Sequence, residues 1–203
     1  MRHGGRPLRR KYGQREERQL FLIYCEGKRT EVDYFKGVRR DLRASTVQLE
    51  IIPGGGEPFG LVRMAIDRQA QKAHGQAADQ TWCVFDAEAP QPHAKLEDAI
   101  TLAKKHGIEC AISNPCFELF LLWHFRDHTA YLSTEQACRL LQECPCGYRQ
   151  RAKRVDYGAV RPGQPDAMRR AAQRHRLLAD TPLYHRNPGC TVHLLLEALL
   201  RQA

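Results

Sequence analysis

Two acidic clusters, each following an apolar β-prone run, hold most of the chemistry this sequence can offer. Leu20-Phe21-Leu22-Ile23-Tyr24-Cys25 runs into Glu26-Gly27, and Thr81-Trp82-Cys83-Val84-Phe85 runs into Asp86-Ala87-Glu88. Each run reads as a buried strand of a parallel sheet. The carboxylates then fall at the C-terminal edge, where open α/β sheets place their ligands. Acidic groups gathered at one edge repel unless a cation lies among them, and a hard divalent ion suits oxygen ligands. Asp86 and Glu88 share a face if the strand persists, and could hold one cation together or two about 4 Å apart. The plainer alternative is an acidic turn capping the next helix. The expected cofactor is Mg2+ or Mn2+, and the expected chemistry is that of phosphates.

Further candidates lie outside these clusters. Glu118 falls within Pro115-Cys116-Phe117-Glu118-Leu119-Phe120-Leu121-Leu122-Trp123, apolar on nearly every side. An ionised carboxylate there needs a cation, a metal or several donors, so Glu118 faces the site, meets a buried basic partner, or reaches back to first-turn N–H groups. Glu31 reads as a first-turn residue complementing the dipole of its helix, with Gly27 clearing room for a phosphate or metal. Lys153 is a candidate for stabilising charge on a scissile phosphate, and Lys28, Arg29, Arg149, Arg151 and Arg154 are candidates for holding a nucleic-acid strand. Gly54-Gly55-Gly56 lacks the Lys-Ser/Thr ending of a Walker A loop and reads as a turn. His93, His124 and His193 could transfer protons, although a lone helical histidine is more often a packing or capping residue.

The elements that must position these groups follow from periodicity. Strands are expected at 20–25, 47–52, 81–85 and 108–112. Helices are expected at 30–42 with Thr30 as cap, 58–74, 93–106 ended by Gly107, and from Ser113-Asn114-Pro115 through Phe125. The alternation predicts an α/β fold with a compact, mostly parallel sheet flanked by helices. Residues 126–180 read as short helices and polar loops, including a basic helix near 166–178. Val192, Leu195, Leu196 and Leu199 form the apolar stripe of a last helix, 191–201. The expected division is a basic flexible arm (1–18), an α/β core (19–125) and a mostly helical basic extension (126–203) packing on the core.

Composition narrows the class. The 203 residues suit one domain, and no apolar stretch is long enough for a transmembrane helix or a signal-peptide core, so the expectation is a cytoplasmic protein with no membrane partner. Several of the eight cysteines sit in or beside apolar runs and read as small buried hydrophobes; Cys144-Pro145-Cys146 lacks a second pair at zinc-ribbon distance. Lys and Arg exceed Asp and Glu by 32 to 23. The excess crowds the N-terminal arm and the segment 149–176, which favours polyanions through counterion release, unless these are only solvated ends.

The stretches CEGKRTEVDYF (25–35), GGGEP (54–58), WCVFDAE (82–88), ISNPCFELFLLWHF (112–125) and NPGCTVHLLLEAL (187–199) resemble the RloB-like family. Its members are built on a Toprim-type domain like that of topoisomerases, primases and OLD-family nucleases. The resemblance implies that Glu26 acts as general acid or base beside the scissile phosphate while Asp86 and Glu88 bind Mg2+. Glu88 replaces the family's second Asp, and Ala89-Pro90 replaces the acidic residue beyond it. It further implies a nuclease acting on DNA or on an RNA such as tRNA, the effector of a phage-defence module, working beside a separate ATPase and free to oligomerise. The alternative is a non-catalytic nucleic-acid or partner-binding subunit.

Overall fold

The computed structural model describes residues 18–54, 56–71 and 77–202. The basic arm apart from Arg18, Gly55 of the glycine run, and the last turn expected of the helix 58–74 lie outside the described residues. The elements in chain order are β1 (Gln19–Cys25), α1 (Thr30–Asp41), β2 (Val47–Pro53), α2 (Pro58–Gln71), β3 (Gln80–Asp86), α3 (Leu96–Lys105), β4 (Glu109–Asn114), α4 (Phe117–Leu122), α5 (Thr134–Gln142), α6 (Tyr157–Val160), α7 (Gln164–Leu177), β5 (Gly189–Cys190) and α8 (Val192–Leu200).

The strands form one sheet in the order β2-β1-β3-β4-β5. β1 pairs in parallel with β2 and β3, and β3 pairs in parallel with β4. The sheet is therefore mostly parallel, and α1, α2 and α3 are the crossovers that such pairing requires. Because successive strand residues point to opposite faces, β1 feeds two apolar layers. Phe21, Ile23 and Cys25 pack with α1, α4, α5, α7 and α8. Leu20, Leu22 and Tyr24 pack with α2 and α3. The β3 run splits the same way, Trp82 and Val84 to the first layer and Cys83 and Phe85 to the second.

The fifth strand is antiparallel and only two residues long, with Ser113 opposite Cys190 and Asn114 opposite Gly189. Too short to show any periodicity, it was not expected. It explains a second difference: Ser113 and Asn114 belong to β4 rather than to the start of a helix, since β5 continues their hydrogen bonding and α4 begins only at Phe117. α3 likewise begins at Leu96 rather than His93, whose carbonyl accepts from the Leu96 N–H.

Tyr34 ties α1 to α4. Its ring makes edge contacts with Phe35, Phe117, Phe120, His124 and Tyr157 at 5.5–5.8 Å between centroids. Aromatic pairs contribute about 0.5–1.5 kcal/mol each beyond the area they bury, so this cluster sets the spacing between the helices that carry Glu31 and Glu118. At the far end of α4, Gly163 lies against the backbone of His124, and a Cβ there would overlap the His124 carbonyl. Gly163→Ala should therefore destabilise the fold by about 1–3 kcal/mol, read as a lower urea midpoint with an unchanged m-value; an unaltered midpoint would show that this contact is not close.

Candidate functional site

The C-terminal ends of β1 and β3 open into a cavity of about 550 Å³ lined by Glu26, Gly27, Lys28, Arg29, Thr30, Glu31, Gly56, Asp86, Glu88, Glu118, Arg151, Ala152 and Lys153. Five of these are carboxylates, drawn from the turn after β1, α1, β3 and the turn after it, and α4. Parallel pairing of neighbouring strands brings the first two clusters together: Cys25 is in register with Val84, the Glu26 N–H donates to Val84 O at 2.9 Å, and the Asp86 N–H donates to Glu26 Oε2 at 3.0 Å.

Glu26, Glu31, Glu88 and Glu118 have local partners. Glu26 Oε1 stands 3.1 Å from His93 Nε2. Glu31 turns back over Gly27, whose N–H donates to its Oε1 at 3.1 Å. A Cβ on residue 27 would overlap that carboxylate, so the room the glycine provides is filled by Glu31 itself. The Thr134 hydroxyl donates to Glu88 Oε2 at 2.5 Å, and the Tyr148 hydroxyl donates to Glu118 Oε1 at 2.7 Å. Thr30 does not cap α1. Its hydroxyl is 3.1 Å from Lys153 O and 3.4 Å from Glu118 Oε1, while Arg29 occupies the cap position without a side-chain cap bond.

Burial and mutual repulsion raise the proton affinity of these groups. Asp86 is held well above the usual carboxylate range by burial and then by Glu31, Glu118, Glu26 and Glu88. Glu31 is pushed up to about 7, by burial first, with Glu118 and Glu26 adding to it and the N–H groups of Glu31 and Gly27 offsetting part. Glu26 is also raised, chiefly by burial, against the lowering effects of the Asp86 N–H and of His93. Neutral acids and an added cation are the two ways to relieve such a cluster. The donor set is all oxygen, the ligand type that hard divalent ions take.

Cations face this acidic floor. Lys28, Arg29, Arg151 and Lys153 line the cavity. Arg149 and Arg154 do not; their backbones pair with each other to close the tight loop that presents residues 151–153. The loop is tied to α1 by Arg29 Nη1, which donates to Ala152 O at 3.1 Å, as well as by Thr30. Burial works against the Lys153 ammonium, but Glu118, Cys138 and Asp86 prevail and raise its pKa. Glu88 and Lys153, with φ of 65° and 47°, are the two non-glycine residues in the left-handed region among those described, and both line the cavity. Such a conformation costs of order 1–3 kcal/mol and persists where surrounding contacts impose it.

Of the three histidines singled out in the sequence, only His93 reaches the carboxylates. His124 is buried between Tyr34 Oη (3.2 Å) and Phe120 O (2.9 Å), and burial lowers its pKa to about 4. His193 packs edge-on against His175, its pKa also lowered to about 4 by burial and by His175. Sequence reasoning underrated Glu31 and missed Thr134 and Tyr148, which are single polar residues far along the chain with no motif around them.

A family model for RloB-like proteins matches residues 21–199. The chain belongs to the RloB-like family. The match spans every carboxylate of the cavity and the loop that carries Lys153, so the whole RloB-like site lies within the family's shared segment. Searches of curated proteins and of solved structures returned no match.

The cluster makes the metal-free protein sensitive to base. A carboxyl whose folded pKa exceeds its unfolded value stabilises the fold below the unfolded value, near 4.5, and loses that contribution as the pH rises through the folded value, near 7. For Glu31 alone the loss is roughly 3 kcal/mol, at about 1.4 kcal/mol per tenfold change in proton affinity. In EDTA, the thermal midpoint should fall between pH 5 and 8, and Glu31→Gln should flatten that fall. Parallel pH profiles for the two proteins would refute this account.

Proposed function

We propose that this RloB-like protein is a Mg2+- or Mn2+-dependent nuclease that hydrolyses phosphodiester bonds in nucleic acid, with a Toprim-type site. The observation that carries the reading is the pairing within one cavity of five carboxylates with Lys28, Arg29, Arg151 and Lys153. Phosphodiester hydrolysis needs both signs of charge. Acidic oxygens hold a divalent ion, and fixed cations neutralise the phosphate oxygens as charge builds on them.

Asp86 and Glu88 would hold the cation, with Glu26 at its edge and Glu31 and Glu118 as further oxygen donors. When bound, such an ion activates water and screens the charge of the phosphate. Glu26 is suited to carry the proton. Its affinity is raised by burial, which brings it towards the range of a general base at neutral pH. One of its oxygens is fixed by the Asp86 N–H and the other meets His93, which can pass a proton outward to solvent. Thr134 orients Glu88, and its own N–H and hydroxyl bond to Ala89 from both sides, at 3.0 Å through Ala89 O and 3.3 Å through Ala89 N. This clamp supports the view that Glu88, although longer than the aspartate the resemblance implies, is held as a ligand.

The arms of the cavity differ in what they would touch. Lys153, whose pKa Glu118 raises, suits the scissile phosphate, whereas Lys28, Arg29 and Arg151 suit the flanking backbone of the strand. In this reading the chain is the effector of an anti-phage module. Any ATP-driven step would belong to a separate partner, since the glycine-rich loop lacks a nucleotide-hydrolysis signature.

The test is cleavage of supercoiled plasmid, single-stranded DNA and total tRNA with Mg2+ or Mn2+. Glu26→Gln and Asp86→Asn should each lower the rate at least about a hundredfold, with folding retained, and EDTA should abolish it. Lys153→Ala should lower the rate while leaving binding of the strand largely intact. Arg151→Ala should instead weaken binding and reduce its salt dependence. Full cleavage by both carboxylate variants would overturn the proposal, and binding without cleavage by the wild type under every metal would favour the binding-subunit alternative.

A further inference from the structure

A second donor set lies in the wall of the cavity. Cys116 Sγ, a Glu118 carboxylate oxygen and Cys138 Sγ all lie within 4.8 Å of one another. The three residues are 1%, 2% and 2% exposed, so the convergence is a feature of the interior. Cys116 precedes α4 and offers no side-chain cap bond, Glu118 follows two residues later, and Cys138 projects from α5, a neighbouring helix in the same apolar layer.

We propose that Cys116, Glu118 and Cys138 form a binding site for a thiophilic divalent cation of the Zn2+ class, beside the all-oxygen cluster at the end of β1 and β3 and sharing only Glu118 with it. Two sulfurs and one carboxylate oxygen match the ligand types of zinc and mismatch those of magnesium, which takes oxygen alone. In a tetrahedral zinc site with sulfur at about 2.3 Å and oxygen at about 2.1 Å, ligand atoms stand roughly 3.5–3.8 Å apart. The observed spacing therefore needs a contraction of no more than about 1.3 Å, within reach of rotamer adjustment. Cys116 Sγ also faces a backbone acceptor, Thr134 O at 4.0 Å, as Cys144 and Cys146 face Leu140 O and Leu141 O at 3.6 Å each. What sets Cys116 and Cys138 apart is the carboxylate oxygen that converges on both sulfurs.

The surroundings suit an ion. Tyr148 Oη bonds Glu118 Oε1 at 2.7 Å and lies 3.6 Å from Cys138 Sγ, so one hydroxyl orients two of the three ligands, as outer partners of metal ligands commonly do. Two thiolates and a carboxylate exceed the charge of a divalent ion by one, and Lys153, whose ammonium is stabilised by Glu118 and Cys138, supplies the balance. Binding would release the thiol protons. Of the three residues only Glu118 lines the cavity, so water completing the coordination would come from that side. Glu118 thus has two competing uses: oxygen donor to the acidic cavity, or ligand of the thiophilic ion. The consequence for cleavage rests on the proposed nuclease function; the site itself does not.

Co2+, which reports on ligand type, tests the site without reference to activity. Titrated into the reduced full-length protein, it should give a thiolate-to-metal charge-transfer band that saturates at one equivalent and bleaches when Zn2+ is added. Cys116→Ser and Cys138→Ser should each weaken binding at least about tenfold, and Tyr148→Phe by about tenfold, with Asp86→Asn leaving the band unchanged. No band with the wild type, or a band that survives Cys116→Ser/Cys138→Ser, would overturn the proposal. X-ray absorption of the wild-type zinc complex needs no variant: it should show two sulfur neighbours at about 2.3 Å, and a shell of nitrogen and oxygen alone would overturn the assignment equally.

Discussion

Repulsion among five carboxylates at one sheet edge is the constraint to which the rest of this structure answers. Parallel pairing of β1 with β3 leaves Glu26 and Asp86 no freedom to separate, because the Asp86 N–H is bonded to the Glu26 side chain itself. The crossover helix α1 then brings Glu31 to the same place, and α4 brings Glu118. Folding against like charge succeeds because Glu26, Glu31, Glu88 and Glu118 are hydrogen-bonded and because protons are retained above the usual range at Asp86, Glu31 and Glu26. What an ordinary fold would avoid is here assembled around two adjacent inner strands of the sheet. The cost fits a site whose occupant restores the balance.

The later part of the chain supplies the opposing terms. Thr134 and Tyr148 donate to Glu88 and Glu118, and the loop closed by Arg149 and Arg154 brings Lys153 and Arg151 to the cavity. Their placement depends on apolar packing, since Tyr148, Val155, Tyr157 and Val160 share one buried layer with β1 and α1. The same layer holds Tyr34 among its aromatic neighbours. A contact at Gly163, outside the cavity, therefore bears on where Glu118 points.

The sheet was legible because a parallel sheet buries both faces of its strands, and 20–25 and 81–85 are apolar without interruption. Glu26, Asp86 and Glu88 were legible for the same reason, as the first charges after such runs. Glu31 was not, because a carboxylate in a first helical turn is ordinary by sequence, and only the absence of a Cβ on Gly27 lets it fold inward. Thr30 misled in the other direction: a residue type that caps helices here bonds Lys153 O, a partner 123 positions away. The two-residue β5 and the partners Thr134 and Tyr148 follow from tertiary contact alone, which no local pattern encodes.

The bonds from Arg29 and Thr30 to the carbonyls of Ala152 and Lys153 join the start of the first crossover to a loop more than a hundred residues later. Both acceptors are backbone atoms, so the join is indifferent to which side chains the loop carries. A change of side chain at 151 or 153 would thus alter the charge that faces the cavity without loosening the seam. Charge and architecture are separable along this edge.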